Sequence, residues 1–337
     1  MLLPFLVLTV AAALVSALGA VMIIHRAHAL GLIDQPGQRR MHRIPTPRGG
    51  GIGMVFALLL SLILAASFGF LSPAAALWAL AGLSVLALVG FWDDRSNLPV
   101  LPRLAAHGLA SLLLAWSLLH GDLPVSFIAL VALALVFPFA INLSNFLDGL
   151  NGILTLQLLV PLLAMCVLLP VDSTLWPLAF AGTAALISFL PFNFPSARCF
   201  MGDAASGTIG SFVAWIGCAA MLRGELHPIL FLLLNSGMLI DTLLTLSRRA
   251  LVGKKFWRAH REHLYQWWAR AGASVIAVNV RYLAWSAASI LYGVLVLRSQ
   301  PGALQWLLTA LWFVLGGVLW RLFRARVLRA VRLGERA

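Results

Sequence analysis

Charge is what this 337-residue sequence has least of. Only 10% of its residues are Asp, Glu, Lys or Arg, against about 25% in an ordinary soluble domain. Acid is the scarcer half: 11 Asp and Glu face 24 Lys and Arg, for a formal net charge of +13. With 61% hydrophobic residues and a mean hydropathy of +0.96, this excludes a soluble globular domain, and the apolar and aromatic content excludes disorder. Cysteine is nearly absent as well. Cys166, Cys199 and Cys218 form no CxxC pair, so a disulfide framework is excluded and free or buried thiols are expected. Neither a Walker A nor a GxGxxG pattern occurs, which removes the P-loop and Rossmann modes of nucleotide binding, and HExxH is missing, which removes a zinc protease. No repeat of fixed period is visible, and no stretch reads as a linker. In a soluble protein the basic excess would point to nucleic acid. Here it points to the cytoplasmic edge of a membrane, and nucleic acid is not an expected partner.

What the sequence has in abundance is long apolar runs. A transmembrane helix needs about 20 largely apolar residues, and candidate runs lie near 3–24, 52–71, 74–91, 104–119, 125–141, 152–170, 174–192, 207–222, 228–246, 274–296 and 302–320. The expected fold is therefore an all-α polytopic membrane protein with about eleven spans. It would form one transmembrane domain over 1–320, followed by a basic tail over 321–337. The first run lacks a basic segment before it and is followed by Arg26 and a cation-rich stretch, which favours an N-terminus outside, in the periplasm. Alternation then puts 25–51, 92–103, 142–151, 193–206, 247–273 and the C-terminal tail in the cytoplasm. All Lys and Arg fall in those segments except Arg223, Arg281 and Arg298, so the positive-inside rule holds at nearly every loop.

Acidic residues gather on the same face: Asp34, Asp93, Asp94, Asp148, Asp203 and Glu262 are all in inside loops. The first loop, Asp34 to Gly51, mixes Arg39, Arg40, His42 and Arg48 with Pro turns and a Gly run. That composition suits an anion site where cations and backbone N–H groups converge, although a positive-inside anchor has the same composition. Asp93-Asp94 at a span's end could hold a hard divalent cation or keep one carboxyl poised for a proton, or simply solvate a helix end. Asn142, Asn145 and Asp148 are spaced i, i+3, i+6 and share a helix face, an oxygen-rich and cation-poor set that suits Mg²⁺. In the fourth loop, Asn193 and Arg198 precede Gly202-Asp203 at a helix entrance. There Asp203 could approach a metal or act as an N-cap. The fifth loop places His260 and His263 at i, i+3 among Arg248, Arg249, Lys254, Arg258 and Arg261; without a third zinc ligand, HxxH among cations reads as a phosphate grip. Asp241 lies inside a span and is either functional or the structural partner of a nearby Arg. Together the loops suit two polyanions meeting at the inner leaflet, with Mg²⁺ neutralising their repulsion.

In order and combination these motifs resemble the polyprenyl-phosphate N-acetylhexosamine-1-phosphate transferases, relatives of the phospho-MurNAc-pentapeptide transferase of peptidoglycan synthesis. The resemblance runs from Asp34 to about Gln266. It rests on Asp34-x-Pro with Arg39-Arg40-x-His42 and Pro47-Arg48-Gly49-Gly50, then Asp93-Asp94, Asn142-x-x-Asn145-x-x-Asp148-Gly149, Met201-Gly202-Asp203 and His260-x-x-His263. It implies Mg²⁺-dependent transfer of a sugar-1-phosphate from a UDP-sugar to undecaprenyl phosphate at a bacterial inner membrane, releasing UMP, with Mn²⁺ as a substitute cation. By the same resemblance Asp203 is the main metal ligand, with Asn145 beside it. Asp93 or Asp94 deprotonates or positions the lipid phosphate, and Asp148 supports substrate or metal. The substrate-binding set is Arg39, Arg40, His42, Arg48, Asn142, Asn193, His260, Arg261 and His263; a homodimer is compatible.

Two positions depart from the family pattern. Asn151 stands where many relatives carry a second Asp, and the fifth loop lacks the consecutive histidines of the peptidoglycan enzyme. The resemblance is thus to the branch that initiates O-antigen or related surface polysaccharide, often with a 6-deoxy-N-acetylhexosamine. A phospho-MurNAc-pentapeptide or teichoic-acid-type transferase is the alternative within the family, and a membrane transporter the alternative outside it.

Overall fold

The computed structural model describes residues 2–35, 44–96, 98–120, 127–255, 260–299 and 302–334. They form thirteen helices and one two-residue antiparallel ladder, so the chain is an all-α polytopic membrane protein. The described residues divide into two compact units, the first ending at Leu226 and the second beginning at His227.

The first unit holds α1 (Leu2–Leu30), the ladder of β1 (Ile33–Asp34) with β2 (Thr46–Pro47), α2 (Ile52–Ser67), α3 (Pro73–Ser96), α4 (Val100–Leu119), α5 (Phe127–Leu147), α6 (Ile153–Leu168), α7 (Trp176–Asn193) and α8 (Asp203–Leu222). Its axis is α8, where every residue from Ala204 to Ala220 is buried. The sequence explains why. Lipid tails are as apolar as a leucine, so membrane helices associate through close packing of small side chains. The first turns of α8 read Ala204-Ala205-Ser206-Gly207-Thr208-Ile209-Gly210. A Cβ on Gly210 would lie 1.9 Å from Ser144 Oγ of α5; only glycine admits that helix so closely. At the crossing of α1 and α2, a Cβ on Gly19 would fall 2.3 Å from the Gly53 Cα. The outward faces keep large apolar side chains exposed, among them Leu14, Leu88, Leu135 and Val167, as lipid contact requires.

The second unit holds α9 (Pro228–Leu234), α10 (Ser236–Leu251), α11 (Leu264–Arg270), α12 (Val275–Ser299) and α13 (Ala303–Leu333). The run expected as one span over 228–246 is broken at Asn235, where α9 and α10 meet at 70°. Hydroxyls and indoles tie the unit together: Ser236 and Ser289 share a bond of 2.9 Å, and the Trp285 and Trp312 indoles donate to them. Asp241 is a structural knot. Its carboxylate accepts from the Tyr282 hydroxyl (2.7 Å), the Trp320 indole (2.8 Å) and the Leu264 N–H (2.8 Å).

Among the described residues seven helices are long and apolar enough to cross a bilayer, or eight if α9 and α10 count as one bent span. The expected runs at 52–71, 125–141 and 152–170 contain shorter apolar helices. α13 runs past residue 320 to Leu333, with Phe323 and Val327 set between the arginines of that stretch.

Candidate active site

The first unit builds an acidic cluster from three segments distant in sequence. The ladder ends at Pro47, and the next residue, Arg48, is fixed by its N–H to Leu32 O at 2.8 Å. The three glycines that follow lie against 199–201. Gly50 N–H donates to Phe200 O at 2.8 Å and Gly51 N–H to Met201 O at 3.0 Å, while Phe200 N–H donates to Pro47 O. A Cβ on Gly50 would meet Cys199 Sγ at 2.3 Å. The glycine run thus serves close packing, and these two N–H groups are engaged by carbonyls instead of facing an anion.

Arg48 so placed spans two carboxylates. Its Nε donates to Asp94 Oδ1 at 2.5 Å and its Nη2 to Asp203 Oδ2 at 2.9 Å. Burial works against the Arg48 charge, but Asp94 and Asp203 outweigh it and raise its pKa. The Asp94 side chain is fully buried, whereas that of Asp203 is 35% exposed. Asp94 also accepts the first two N–H groups of α8, from Asp203 at 2.9 Å and Ala204 at 3.0 Å. Helix starts leave such donors without partners, and here a residue of α3 satisfies them. The N-cap position itself is Gly202, which offers no side chain. The Asp203 carboxylate is therefore not used up in capping its own helix.

Asp93 has different partners. It accepts the Leu98 N–H at 2.6 Å and pairs with Arg103 Nη1 at 2.7 Å, which closes the connection between α3 and α4. Two adjacent aspartates thus have separate partners. Arg103 and His107 stand one turn apart on α4 and line a narrow cavity with Asp93, Asn145 and Asp203; Nδ1 of the buried His107 has no hydrogen-bond partner among the described residues. Neither residue was singled out by motif, and the only signal available was their i, i+4 spacing beside the Asp-Asp pair.

Of the spaced set on α5, Asn145 faces α8, where its Oδ1 accepts the Ser206 hydroxyl at 2.8 Å. Asn142 bonds back within its helix to Pro138 O at 2.7 Å. Asp148 lies just past the helix end and accepts the Gly202 N–H; burial, then the neighbouring charges of Asp203 and Asp94, pushes its carboxyl up to about 7. Asn193 is a buried clamp: its Oδ1 accepts Gly152 N–H at 2.9 Å, and its Nδ2 donates to Cys199 O at 3.1 Å. Arg39, Arg40 and His42 lie outside the described residues.

The second unit holds a basic cavity of about 530 Å³, lined by Arg248, Arg249, Lys254, His260, Arg261, Glu262, Trp267, Arg270, Arg324, Leu328 and Arg332. Glu262 organises it, accepting from Arg248 at 3.0 Å, Lys254 at 2.9 Å and also Arg249. Burial alone would raise its pKa, but the hydrogen bond from Lys254 and the charges of Arg249, Lys254 and Arg248 hold it below the usual carboxylate range. Arg324 and Arg332 come from the stretch of α13 that the sequence presented as a tail. The two histidines of HxxH stay together but differ in burial. His260 faces the cavity and stacks on His263 with ring centroids 5.0 Å apart. His263 is buried at the N-cap of α11, where Gln266 closes a capping box, and its Nδ1 lies 3.7 Å from Asp241. Burial lowers its pKa, against the opposing pull of Asp241.

Residues 76–221 match the model of glycosyl transferase family 4. Among curated proteins the chain is similar to a decaprenyl-phosphate N-acetylglucosaminephosphotransferase of Mycobacterium tuberculosis, 28% identical over 316 residues, covering 79% of this chain and 77% of the relative. The protein of the same description from Mycolicibacterium smegmatis is 28% identical over 310 residues, 78% of this chain and 76% of the relative. An undecaprenyl-phosphate alpha-N-acetylglucosaminyl 1-phosphate transferase of Escherichia coli K12 is 28% identical over 276 residues, 73% of this chain and 71% of the relative.

Proposed function

We propose that the chain, whose residues 76–221 match glycosyl transferase family 4, is a polyprenyl-phosphate N-acetylhexosamine-1-phosphate transferase. It transfers an N-acetylhexosamine-1-phosphate from a UDP-sugar to undecaprenyl phosphate, giving the diphosphate-linked sugar and UMP at the cytoplasmic face of a bacterial inner membrane. Relatives named for N-acetylglucosamine transfer to decaprenyl or undecaprenyl phosphate support this sugar class. The product would open synthesis of O-antigen or a related envelope polysaccharide.

One observation carries the assignment of the centre: Arg48 clasps Asp94 and Asp203, yet leaves the Asp203 carboxylate partly exposed beside Asn145. Among the described residues no three His, Cys, Asp or Glu side chains gather to hold a metal by themselves. Mg²⁺ keeps several waters and binds through one or two carboxylates plus substrate phosphates, which a single partly exposed carboxylate beside an amide oxygen suits. Asp203 and the Asn145 amide oxygen would hold it. Such an ion supplies charge neutralisation between attacking and leaving phosphates.

The remaining roles belong to the chain. Asp94 fixes the start of α8 and the angle of Arg48, so it positions the site. Asp93 holds Arg103 at the cavity wall. Asp148, with its raised pKa, is matched to take the last proton of a phosphate monoester, whose own pKa is about 6. The basic cavity of the second unit, through His260, Arg261, Arg324 and Arg332, is assigned to phosphate groups of the nucleotide. A transporter would need mid-membrane ionisable groups free to act, and Asp241 has its oxygens engaged by Tyr282, Trp320 and Leu264. Radiolabelled UDP-N-acetylglucosamine with undecaprenyl phosphate and Mg²⁺ in detergent tests the reading. A lipid-linked sugar and stoichiometric UMP are expected. Neither product, with any UDP-N-acetylhexosamine supplied, would overturn it.

A further inference from the structure

A second cavity lies in the second unit, lined by none of the residues of the basic one. It encloses about 670 Å³ between α10, α11, α12 and α13. Its wall is almost wholly apolar, with Trp285, Leu319, Phe323 and Val327 among the lining groups, and two cations join them: Arg281 near the start of α12 and Arg326 near the end of α13. Arg281 lies over the Trp268 ring at 4.9 Å from its centroid. Neither arginine pairs with a carboxylate among the described residues. The acid that borders the cavity, Asp241, has its oxygens engaged by the Tyr282 hydroxyl, the Trp320 indole and the Leu264 N–H, so it is no partner for them.

Depth along the helices gives the location. At 1.5 Å per residue, Arg326 is roughly 35 Å along α13 from Ala303, just beyond a hydrocarbon core of about 30 Å. Arg281 is only roughly 9 Å from the start of α12 at the same rise. Because the two side chains line one cavity, they share one interface, at a level where tryptophans also collect. An apolar chamber at that level, with two cations and with its one lining acid, Asp241, already engaged by hydrogen bonds, complements a molecule with a hydrocarbon tail and an anionic head. Basic pockets between membrane helices on the cytoplasmic side recognise phospholipid head groups in this way.

We propose that this cavity is a binding site for an anionic glycerophospholipid, with its phosphate between Arg281 and Arg326 and an acyl chain along Trp285 and Phe323. The occupant is a component of the surrounding bilayer and not the acceptor lipid. Its function is to brace α10 and α13, the two helices that carry Arg248, Arg249 and Arg324 of the basic cavity.

The test uses the full chain purified in detergent, with thermal unfolding followed in mixed micelles. Phosphatidylglycerol is expected to raise the melting temperature by roughly 5 °C, as saturating ligand does for a folded protein, and phosphatidylcholine to leave it unchanged. Arg281→Gln with Arg326→Gln should abolish the increment, whereas Arg281→Lys with Arg326→Lys should keep at least half of it. If that lysine pair loses the increment while both pairs melt with wild type in phosphatidylcholine, simple charge recognition is overturned. Equal shifts with both lipids, or a shift that survives in the glutamine pair, would overturn the site. The same shift from inorganic phosphate alone would replace the lipid with a free anion. A shift from undecaprenyl phosphate but not phosphatidylglycerol would make the cavity an acceptor site instead.

Discussion

The Asp94 carboxylate accepts the main-chain N–H of Asp203 at 2.9 Å, while Arg48 binds the side chains of both. One acid therefore builds the helix entrance on which the other is displayed. On the proposed assignment the pair separates support from chemistry across 109 residues of sequence.

Substitutions should reveal that division. Asp203→Asn keeps the size of the side chain and most of its neighbours, so melting in detergent should shift little while UMP release falls at least about 100-fold, the scale of losing a preorganised charge. Asp94→Ala leaves Arg48 Nε and two helix N–H groups without their acceptor, and each unsatisfied buried group costs about 1–3 kcal/mol. Thermal unfolding should then fall together with activity. Normal melting in Asp94→Ala would contradict the supporting role.

Gly202 makes the same junction possible. Its φ is +86°, and an added Cβ would stand 2.7 Å from Asp94 Oδ2 and 2.8 Å from the Gly49 Cα. With ψ at 161° this backbone conformation is essentially restricted to glycine and costs an L-residue about 1–3 kcal/mol, and the backbone contact cannot rotate away. Gly202→Ala should therefore lower UMP release at least tenfold while far-ultraviolet circular dichroism remains helical. Full activity in this variant would mean that the junction tolerates a shift the packing does not suggest.

The apolar runs announced the helices because membrane helices need little beyond length and composition, and the motif loops already held Asp94, Asp148, Asp203 and Asn145. Which of two adjacent aspartates faces the cluster was not legible. Asp93 and Asp94 differ only in partners, Arg103 for one and Arg48 for the other, and long-range partners leave no periodicity. His260 and His263 illustrate the same limit: their spacing announced a pair, but the capping box at α11 takes one of them inside. The break at Asn235 carries neither Pro nor Gly at its centre, and the helical course of α13 past residue 320 was hidden by its arginines.

Acid should loosen the basic cavity through Glu262. Its pKa is held below the usual range by Lys254, Arg249 and Arg248 against the effect of burial. A depressed carboxyl contributes stability that is present above its unfolded value of about 4.3 and is lost as pH falls through the folded one. Glu262→Gln should consequently melt below wild type at pH 7, and the gap should close as pH drops under about 4. A gap that stays constant down to pH 3 would show that Glu262 acts by shape instead of charge.

Asp148 carries the opposite sign. Its pKa rises to about 7 because burial, then Asp203 and Asp94, disfavour its ionised form. For an acid raised in the folded state, the stabilisation is complete below the unfolded value of about 3.9 and disappears as pH climbs through the folded value. Asp148→Asn removes that penalty. In the absence of divalent cations the variant should match wild type near pH 4 and melt above it at pH 8. Activity should move the other way. With Asp148 as the proton acceptor, kcat/KM of the wild type rises along a single-proton limb and levels off, whereas the asparagine variant should stay low and flat from pH 6 to 9. A variant that keeps the rising limb would remove Asp148 from proton transfer, even if its gain in stability at pH 8 were observed, because the two measurements report different consequences of one buried charge.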